Sequence, residues 1–287
     1  MRNLRLIGIV NILDGIAVQS IGFKKYLPIG NPSIYIEFLN QWGIDEIAVV
    51  DIKGSRKKKF ELNSIISNYI KKCFVPISAG GGIKKFGDVK NLINNGADKV
   101  IFNSISYSNF DLLNSTAKTY GNQAVILSLD IKIINGRLIL FSNSGKKKQK
   151  ISIDEVIKIA NNNGVGEIFL NSIDNDGKMI GFNKKIIEKV SPLTNLPITL
   201  IGGMGKPSDV LDLKKYNLSG IGIGNYYNYS ERSVVNLKKY LLKNGFKSIR
   251  KTFYTYKSEV FDKFEKISKK KDKHLEKGYF VPHEILR

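Results

Sequence analysis

Eight apolar runs of strand length, each followed by a segment of helical period, succeed one another from residue 4 to about residue 244. The runs are LRLIGIVNI (4–12), DEIAVVDI (45–52), FVPISAG (74–80), DKVIFNS (98–104), QAVILSLDI (123–131), GEIFLNS (166–172), LPITLIG (196–202) and SGIGIG (219–224). They are nearly continuous rather than alternating, as parallel strands covered on both faces require. Helical patterns fall at 33–42, 61–72, 86–95, 109–119, 153–163, 183–191, 208–216 and 231–244. Strict alternation of eight β and eight α units predicts an α/β fold of the TIM (β/α)8 type. A doubly wound open sheet has no reason to stop at eight equal units.

The chain also repeats itself. Gly81-Gly82 recurs as Gly202-Gly203, and the strand-end pair Asn103-Ser104 as Gly224-Asn225, each 121 positions on. Asn11 at the end of the first strand is answered by Asp130 at the end of the fifth, 119 on. Two half-barrels of about 120 residues account for this spacing. Residues 1–246 are therefore expected to form the barrel, and 247–287 a basic C-terminal helical extension with 12 basic and 6 acidic side chains. Its stripe Val260, Phe261, Phe264 and Ile267 suggests an amphipathic helix, either packed on the outer wall or serving as a docking arm.

Composition removes several classes of chemistry. The only histidines, His274 and His283, lie in the last fourteen of 287 residues, so the barrel has no imidazole for a triad, zinc site or proton shuttle. Cys73 is the single cysteine, which fits a reducing compartment and excludes an internal disulfide. No metal site or cofactor is expected. The net charge of +21 invites a nucleic-acid reading, but only seven of the 46 basic residues are Arg, the usual choice for bidentate phosphate recognition. The excess is read as solvated surface lysine rather than a nucleic-acid footprint, with an anionic partner or substrate as the alternative. No apolar run reaches the roughly 18–20 residues that span a bilayer, and the N-terminus lacks a cleavage site, so a cytoplasmic protein without a membrane partner is expected.

In a (β/α)8 barrel the active site lies where the strands end. Those positions hold Asn11, Asp51, Gly80 to Gly82, Asn103-Ser104, Asp130, Asn171 to Gly177, Gly202-Gly203 and Gly224-Asn225. Glycine lets backbone N–H groups approach an anion, and the following helix N-terminus adds a favourable dipole. The repeat therefore predicts two phosphate sites on opposite sides of the mouth, although a tight strand–helix turn alone also needs glycine. Asp176 is a candidate proton carrier. Asp174 serves equally as a turn-former. Lys146 to Lys148, in a hairpin after the fifth strand, are solvated or attract an anionic substrate. Cys73 and Trp42 read as packing residues. At the opposite end, Arg5, Glu46, Lys99 and Glu167 begin strands one, two, four and six, where two positive and two negative charges can pair into a ring. Charges at that face ordinarily serve stability.

The motifs SAGGGIKKFGDVKNLINNGADKVIFNS, LNSIDNDGKMIGF and LIGGMGKPSDV resemble the HisF family, the cyclase subunit of imidazole glycerol phosphate synthase, over about residues 4–244. The resemblance implies a glutaminase partner whose ammonia travels up the barrel to a phosphorylated small-molecule substrate. It implies phosphate contacts at Gly81, Gly82, Asn103 and Ser104, and on the other side at Gly177, Gly202, Gly203, Gly224 and Asn225. Asn225 departs from the small hydroxyl usual there. Arg5, Glu46, Lys99 and Glu167 become an ammonia gate, and Asp98 a glutaminase contact.

The family's two catalytic aspartates correspond to Asp130 and Asn11. An amide cannot take up a proton at neutral pH, and losing one general acid–base group costs about 10²–10⁴-fold in rate. Gln19 likewise replaces a lysine of the first βα loop. The sequence is similar in these respects to HisF-like subunits of bacterial surface-sugar clusters, which pass ammonia to a sugar amidotransferase. The expected function is thus an ammonia-channelling barrel subunit for amidination of a surface sugar, with a sugar amidotransferase as third partner. The alternatives are the cyclase of histidine biosynthesis and, from another class, a basic nucleic-acid-binding module without catalysis.

Overall fold

The computed structural model describes residues 4–53, 67, 73–230, 232–246, 248–251, 260–263 and 265–268. Eight parallel strands close on themselves: β1 (Arg5–Leu13), β4 (Glu46–Asp51), β5 (Ile77–Gly80), β6 (Lys99–Phe102), β7 (Val125–Ile134), β10 (Glu167–Ser172), β11 (Ile198–Ile201) and β12 (Gly220–Ile223). Each pairs with the next in that order, and β12 returns to β1 with Arg5 opposite Gly220. The TIM barrel expected from the alternation is the fold observed. Helices lie between the strands in sequence: α1 (Pro32–Gln41), α2 (Phe86–Asn94), α3 (Asp111–Tyr120), α4 (Ile153–Asn162), α5 (Lys184–Val190), α6 (Ser208–Leu211) and α7 (Ser233–Lys243). The helix expected at 61–72 lies outside the described residues, apart from Ser67.

Two hairpins extend the barrel, and they obey the repeat. After β1 come β2 (Ile16–Ile21) and β3 (Lys25–Gly30); after β7 come β8 (Arg137–Ser142) and β9 (Lys147–Lys148). The first turn of each is a two-residue loop with both residues at positive φ, Asp14-Gly15 and Asn135-Gly136. Such mirror-image turns match the twist of the strands, and Asp-Gly and Asn-Gly are their favoured pairs.

Two expectations need correction. The helix predicted over 208–216 ends at Leu211 and continues as tight turns, Leu213 N–H to Val210 C=O and Tyr216 N–H to Leu213 C=O. In the tail, the stripe read as an amphipathic helix is a turn wherever it is described. Phe261 bridges Ile267 in antiparallel fashion, and Glu265 has φ +61°. The Asp262 carboxylate accepts from the Lys266 N–H, which closes the turn at 3.0 Å. Phe261 packs edge-on against Tyr240, 5.2 Å between ring centres, so one aromatic contact took the place of a helical face. The rest of the expected extension lies largely outside the described residues.

Because strand side chains alternate with period two, each inward row runs from the bottom of the barrel to the mouth. The rows read Arg5, Ile7, Ile9, Asn11; Glu46, Ala48, Val50; Lys99, Ile101, Asn103; Ile126, Ser128, Asp130; and Glu167, Phe169, Asn171. Ile7, Ala48, Ile101, Ile126, Phe169 and Ile201 form one apolar cluster inside the barrel, separate from the larger core between strands and helices. The glycines of β12 make room for it. A Cβ on Gly220 would lie 3.0 Å from Ile7 Cδ1, and one on Gly222 3.0 Å from Ile9 Cδ1. Among the described residues no helix is long and apolar enough to cross a membrane, and no cluster of His, Cys, Asp and Glu is placed to hold a metal.

The last helix is fastened by a buried ion pair that the sequence did not reveal. Lys238 of α7, 1 % exposed, donates to Asp45 Oδ1 (2.5 Å) and to the Gly43 carbonyl (2.7 Å). Asp45 Oδ2 accepts the Leu6 N–H (2.8 Å). Removing one partner of a buried pair leaves an uncompensated charge. Lys238→Met is therefore expected to destabilise the barrel by about 3–5 kcal/mol, read as a lower urea midpoint with an unchanged m-value.

Candidate functional site

At the bottom of the barrel the four predicted charges meet. Arg5 reaches Glu46 Oε2 and Glu167 Oε1, each at 2.5 Å. Lys99 Nζ lies 2.9 Å from Glu46 and 3.4 Å from Glu167. Thr199 Oγ1 donates a further hydrogen bond to Glu167 (2.6 Å), and the Arg5 Nε–H binds the Ser219 carbonyl. Both glutamates are buried and both cations only partly so. Two carboxylates taken from water are thus matched by two cations and a hydroxyl. Asp98 stands exposed beside this ring, its Oδ2 accepting the Ile77 N–H at 2.8 Å.

At the mouth, one cavity gathers Asn11, Asp51, Gly81, Gly82, Asn103, Ser104, Asp130 and Asn171. The Asp130 carboxyl is buried, with the Asn171 amide 3.3 Å away. Burial pushes its pKa up to about 7; amide hydrogen bonds from Asn171 and Asn103 oppose this, while the charge of Asp176 adds to it. The group is thereby poised between acid and base near neutrality. Asn11 lines the same cavity with no titratable proton of its own. Asp51 is buried at the rim, where its Oδ1 accepts the Lys53 N–H (2.9 Å). Ser104 Oγ accepts the Asn143 N–H (3.0 Å), tying the first half's cradle to the β8–β9 turn.

Other predicted residues take structural positions. Asp174 Oδ2 accepts the Ile133 N–H (3.1 Å), a tie to β7 rather than a bond within its own turn. Gln19 sits in the β2–β3 ladder opposite Leu27 and does not line the cavity. Asp176 grips the first hairpin: its carboxylate accepts from Ser20 Oγ (2.6 Å) and the Phe23 N–H (3.3 Å), and its carbonyl from the Gly22 N–H. Burial raises its pKa, and those hydrogen bonds restrain the rise. Gly177, Gly202, Gly203, Gly224 and Asn225 do not line this cavity, although Asn225 bonds the carbonyl of Ser20, which does. Conversely, Ser20, Phe23, Tyr26 and Ser144 reach the cavity from the two hairpins, unforeseen from sequence. The signal for them was the Asp14-Gly15 turn, which folds the following strand back over the mouth.

Comparison with known proteins gives this geometry a context. Residues 5–232 match the family described as histidine biosynthesis protein. The imidazole glycerol phosphate synthase subunit HisF of Thermotoga sp. (strain RQ2) is 33 % identical over 241 residues, covering 84 % of this chain and 95 % of the relative. The subunit of the same name from Sulfolobus acidocaldarius is 32 % identical over 245 residues, covering 85 % and 98 %. That of Clostridium botulinum (strain Alaska E43 / Type E3) is also 32 % identical, covering 84 % and 97 %.

The raised pKa of Asp130 has a consequence for stability. The unfolded chain releases this proton near its ordinary value of 3.8, the folded chain only near 7. Between those limits the native state holds more protons, so this group's contribution falls as pH rises and is level above about 7. Asp130→Asn removes the penalty. The variant is expected to gain on the wild type progressively from pH 4 to 7, by on the order of 1.4 kcal/mol per pH unit at most. Urea unfolding across that range measures the difference; a gap independent of pH is the contrary result.

Proposed function

The chain belongs to the HisF family of histidine biosynthesis proteins, and from that membership we propose that it is the barrel subunit of an imidazole glycerol phosphate synthase-like complex, receiving ammonia from a glutaminase. The observation that carries this reading is the pairing, on one barrel, of the charged ring at the bottom with Asp130 at the mouth. In this reading the glutaminase docks around Asp98, and Arg5, Glu46, Lys99 and Glu167 gate the entrance. The apolar layer above the ring favours neutral ammonia, since an ammonium ion entering it loses its hydration without a partner. Gly82, Asn103 and Ser104 hold a phosphate of the substrate, and Asp130 exchanges a proton with the reacting end. Residues 1–246 are the working barrel, with 247–287 appended to it.

The names of the relatives favour the cyclase reaction of histidine biosynthesis. One observation favours a second reading, in which the ammonia serves amidination of a surface sugar by a partner amidotransferase. Asn11 faces the same cavity as Asp130 and has no proton to exchange, so the mouth holds one of the two carboxylates that acid–base work on both sides of a substrate requires.

The two readings separate in one assay. With ammonia and the ribulosyl-aminoimidazole substrate, the cyclase reading expects turnover by the unaltered protein within tenfold of Asn11→Asp. The sugar reading expects a rate at least 10²-fold lower than that variant, the usual effect of a missing acid–base group. Neither protein turning the substrate over would remove the cyclase reading altogether.

A further inference from the structure

The chain runs on past residue 232, where the family match ends, and the described part of the appended segment packs on the second half of the barrel. Phe261 lies edge-on to Tyr240 of α7, and Lys243 Nζ stands 5.7 Å from the Phe261 ring centre. The Ser268 N–H donates to the Val260 carbonyl and the Asp262 N–H to the Lys266 carbonyl, both at 2.8 Å, which holds the turn. Glu265 stands within it at φ +61°. A turn that needs only positive φ favours glycine or asparagine, so a glutamate there is accounted for by its side chain. Glu265 Oε2 accepts the Ser208 N–H at 2.7 Å. Burial first, and then the Glu265 charge, raise the pKa of the Tyr226 and Tyr240 phenols, so the carboxylate also lies near the turn that follows Gly224-Asn225.

Ser208 opens α6, which is entered through Pro207 and has no side-chain acceptor of its own for its first N–H group. The appended segment supplies that acceptor. Asp209 supplies the next, its Oδ2 accepting the Gly205 N–H (2.8 Å) and the Lys206 N–H (3.0 Å). Every N–H from Gly205 to Ser208 is thus taken by one of two carboxylates, since Pro207 has none. The loop so fixed lies backbone on backbone against the loop after β10. The Gly181 N–H donates to the Gly203 carbonyl at 2.8 Å. A Cβ on Gly203 would stand 2.1 Å from the Gly181 oxygen, and one on Gly205 2.3 Å from the Met179 oxygen. The loop after β10 begins at Gly177, where a Cβ would stand 2.0 Å from the oxygen of Ser20, a residue that lines the mouth cavity. An unbroken set of contacts therefore joins Glu265 to the mouth.

We propose that Glu265 is a positioning residue for the second half of the mouth: from the appended segment it holds the β11–α6 loop, and through it the loop after β10, so that the backbone at Gly202-Gly203 is set for a phosphate before one binds. The proposal rests on the reading of a phosphorylated ligand at the mouth. A glycine loop left to itself samples many conformations, and affinity falls with the fraction competent to bind. A carboxylate on the Ser208 N–H removes that freedom without touching the ligand. Glu265→Ala leaves the N–H without its acceptor, whereas Glu265→Gln keeps an oxygen that can accept it.

Amide hydrogen exchange and phosphate titration of the full chain test this. In Glu265→Ala the amides of 203–206 and 177–181 are expected to exchange about tenfold faster or more, with those of 81–84 within about twofold of the wild type. Titrated with inorganic phosphate and followed by the amide resonances of Gly203 and Gly82, the variant is expected to bind about fivefold more weakly or worse at Gly203, and within about twofold at Gly82. Glu265→Gln is expected to match the wild type in both measurements. A contact that serves stability alone predicts equal losses at the two glycines or none at either, and each of those results overturns the proposal. Exchange in the alanine variant as slow as in the wild type overturns it too. Should that variant fail to fold, the wild type decides: a Ser208 amide protected about 10²-fold or more supports the clamp, and weaker protection overturns it. If phosphate moves neither glycine resonance of the wild type, the phosphate-binding mouth itself is refuted, while the exchange rates still judge the clamp.

Discussion

The charged ring of Arg5, Glu46, Lys99 and Glu167 fixes more of this structure than any other contact. Two buried carboxylates form a stable arrangement only if both cations reach them, and removing either would leave charge uncompensated in a poorly hydrated place. The four residues come from β1, β4, β6 and β10, so their meeting sets the register of half the barrel at one level. Slipping any of those strands by one residue would turn its charge into the packing between strands and helices. With the bottom level fixed, period two dictates what lies above: an apolar layer, then Asn11, Asn103, Asp130 and Asn171 at the mouth. The mouth cavity is in this sense a consequence of the ring beneath it.

That logic explains which features were legible in the sequence. The eight strands read as nearly continuous apolar runs because one face packs on helices and the other fills the barrel; of the strand-end residues, Asn11, Asp51, Gly81, Gly82, Asn103, Ser104, Asp130 and Asn171 line the cavity, whereas Gly202, Gly203, Gly224 and Asn225 do not. The hairpin after β7 was read from sequence around Lys146 to Lys148, and the one after β1 was legible in principle, since Asp14-Gly15 and Asn135-Gly136 are 121 positions apart, the spacing of the glycine pairs. It fell among strand-like sequence, where an apolar run does not announce a reversal. The Lys238–Asp45 pair was not legible at all. A lysine in a helix bearing several others reads as solvated, and only the three-dimensional approach of α7 to the start of β4 distinguishes it.

The tail shows the opposite failure, a pattern present without the structure it suggests. Val260, Phe261 and Ile267 have helical spacing, yet Phe261 satisfies its ring against Tyr240 and the intervening chain turns back through Glu265. Periodicity records which side chains are apolar, and a short segment packed on a larger body buries them in whatever conformation the surface permits.

Divergence between the halves is where the chain's chemistry resides. A duplicated barrel begins with two equal cradles and two equal strand ends, and equality suits a ligand that presents the same groups at both ends. Here the glycine pairs remain equal, but the strand-end residues have been split. Asp130 keeps its carboxyl, buried and poised near neutrality, while its counterpart is Asn11. Ser104 lines the cavity with its hydroxyl bonded to Asn103 Oδ1 and the Asn143 N–H, whereas its counterpart Asn225 lies outside that cavity and bonds the Ser20 carbonyl of the hairpin. The cavity therefore joins the Asp130 carboxyl of the second half to Gly81, Gly82, Asn103 and Ser104 of the first, beside the hairpin that Asp176 holds down. Such a mouth presents an ionisable carboxyl on one side and glycine backbone with short polar side chains on the other, a difference that a symmetric mouth does not have.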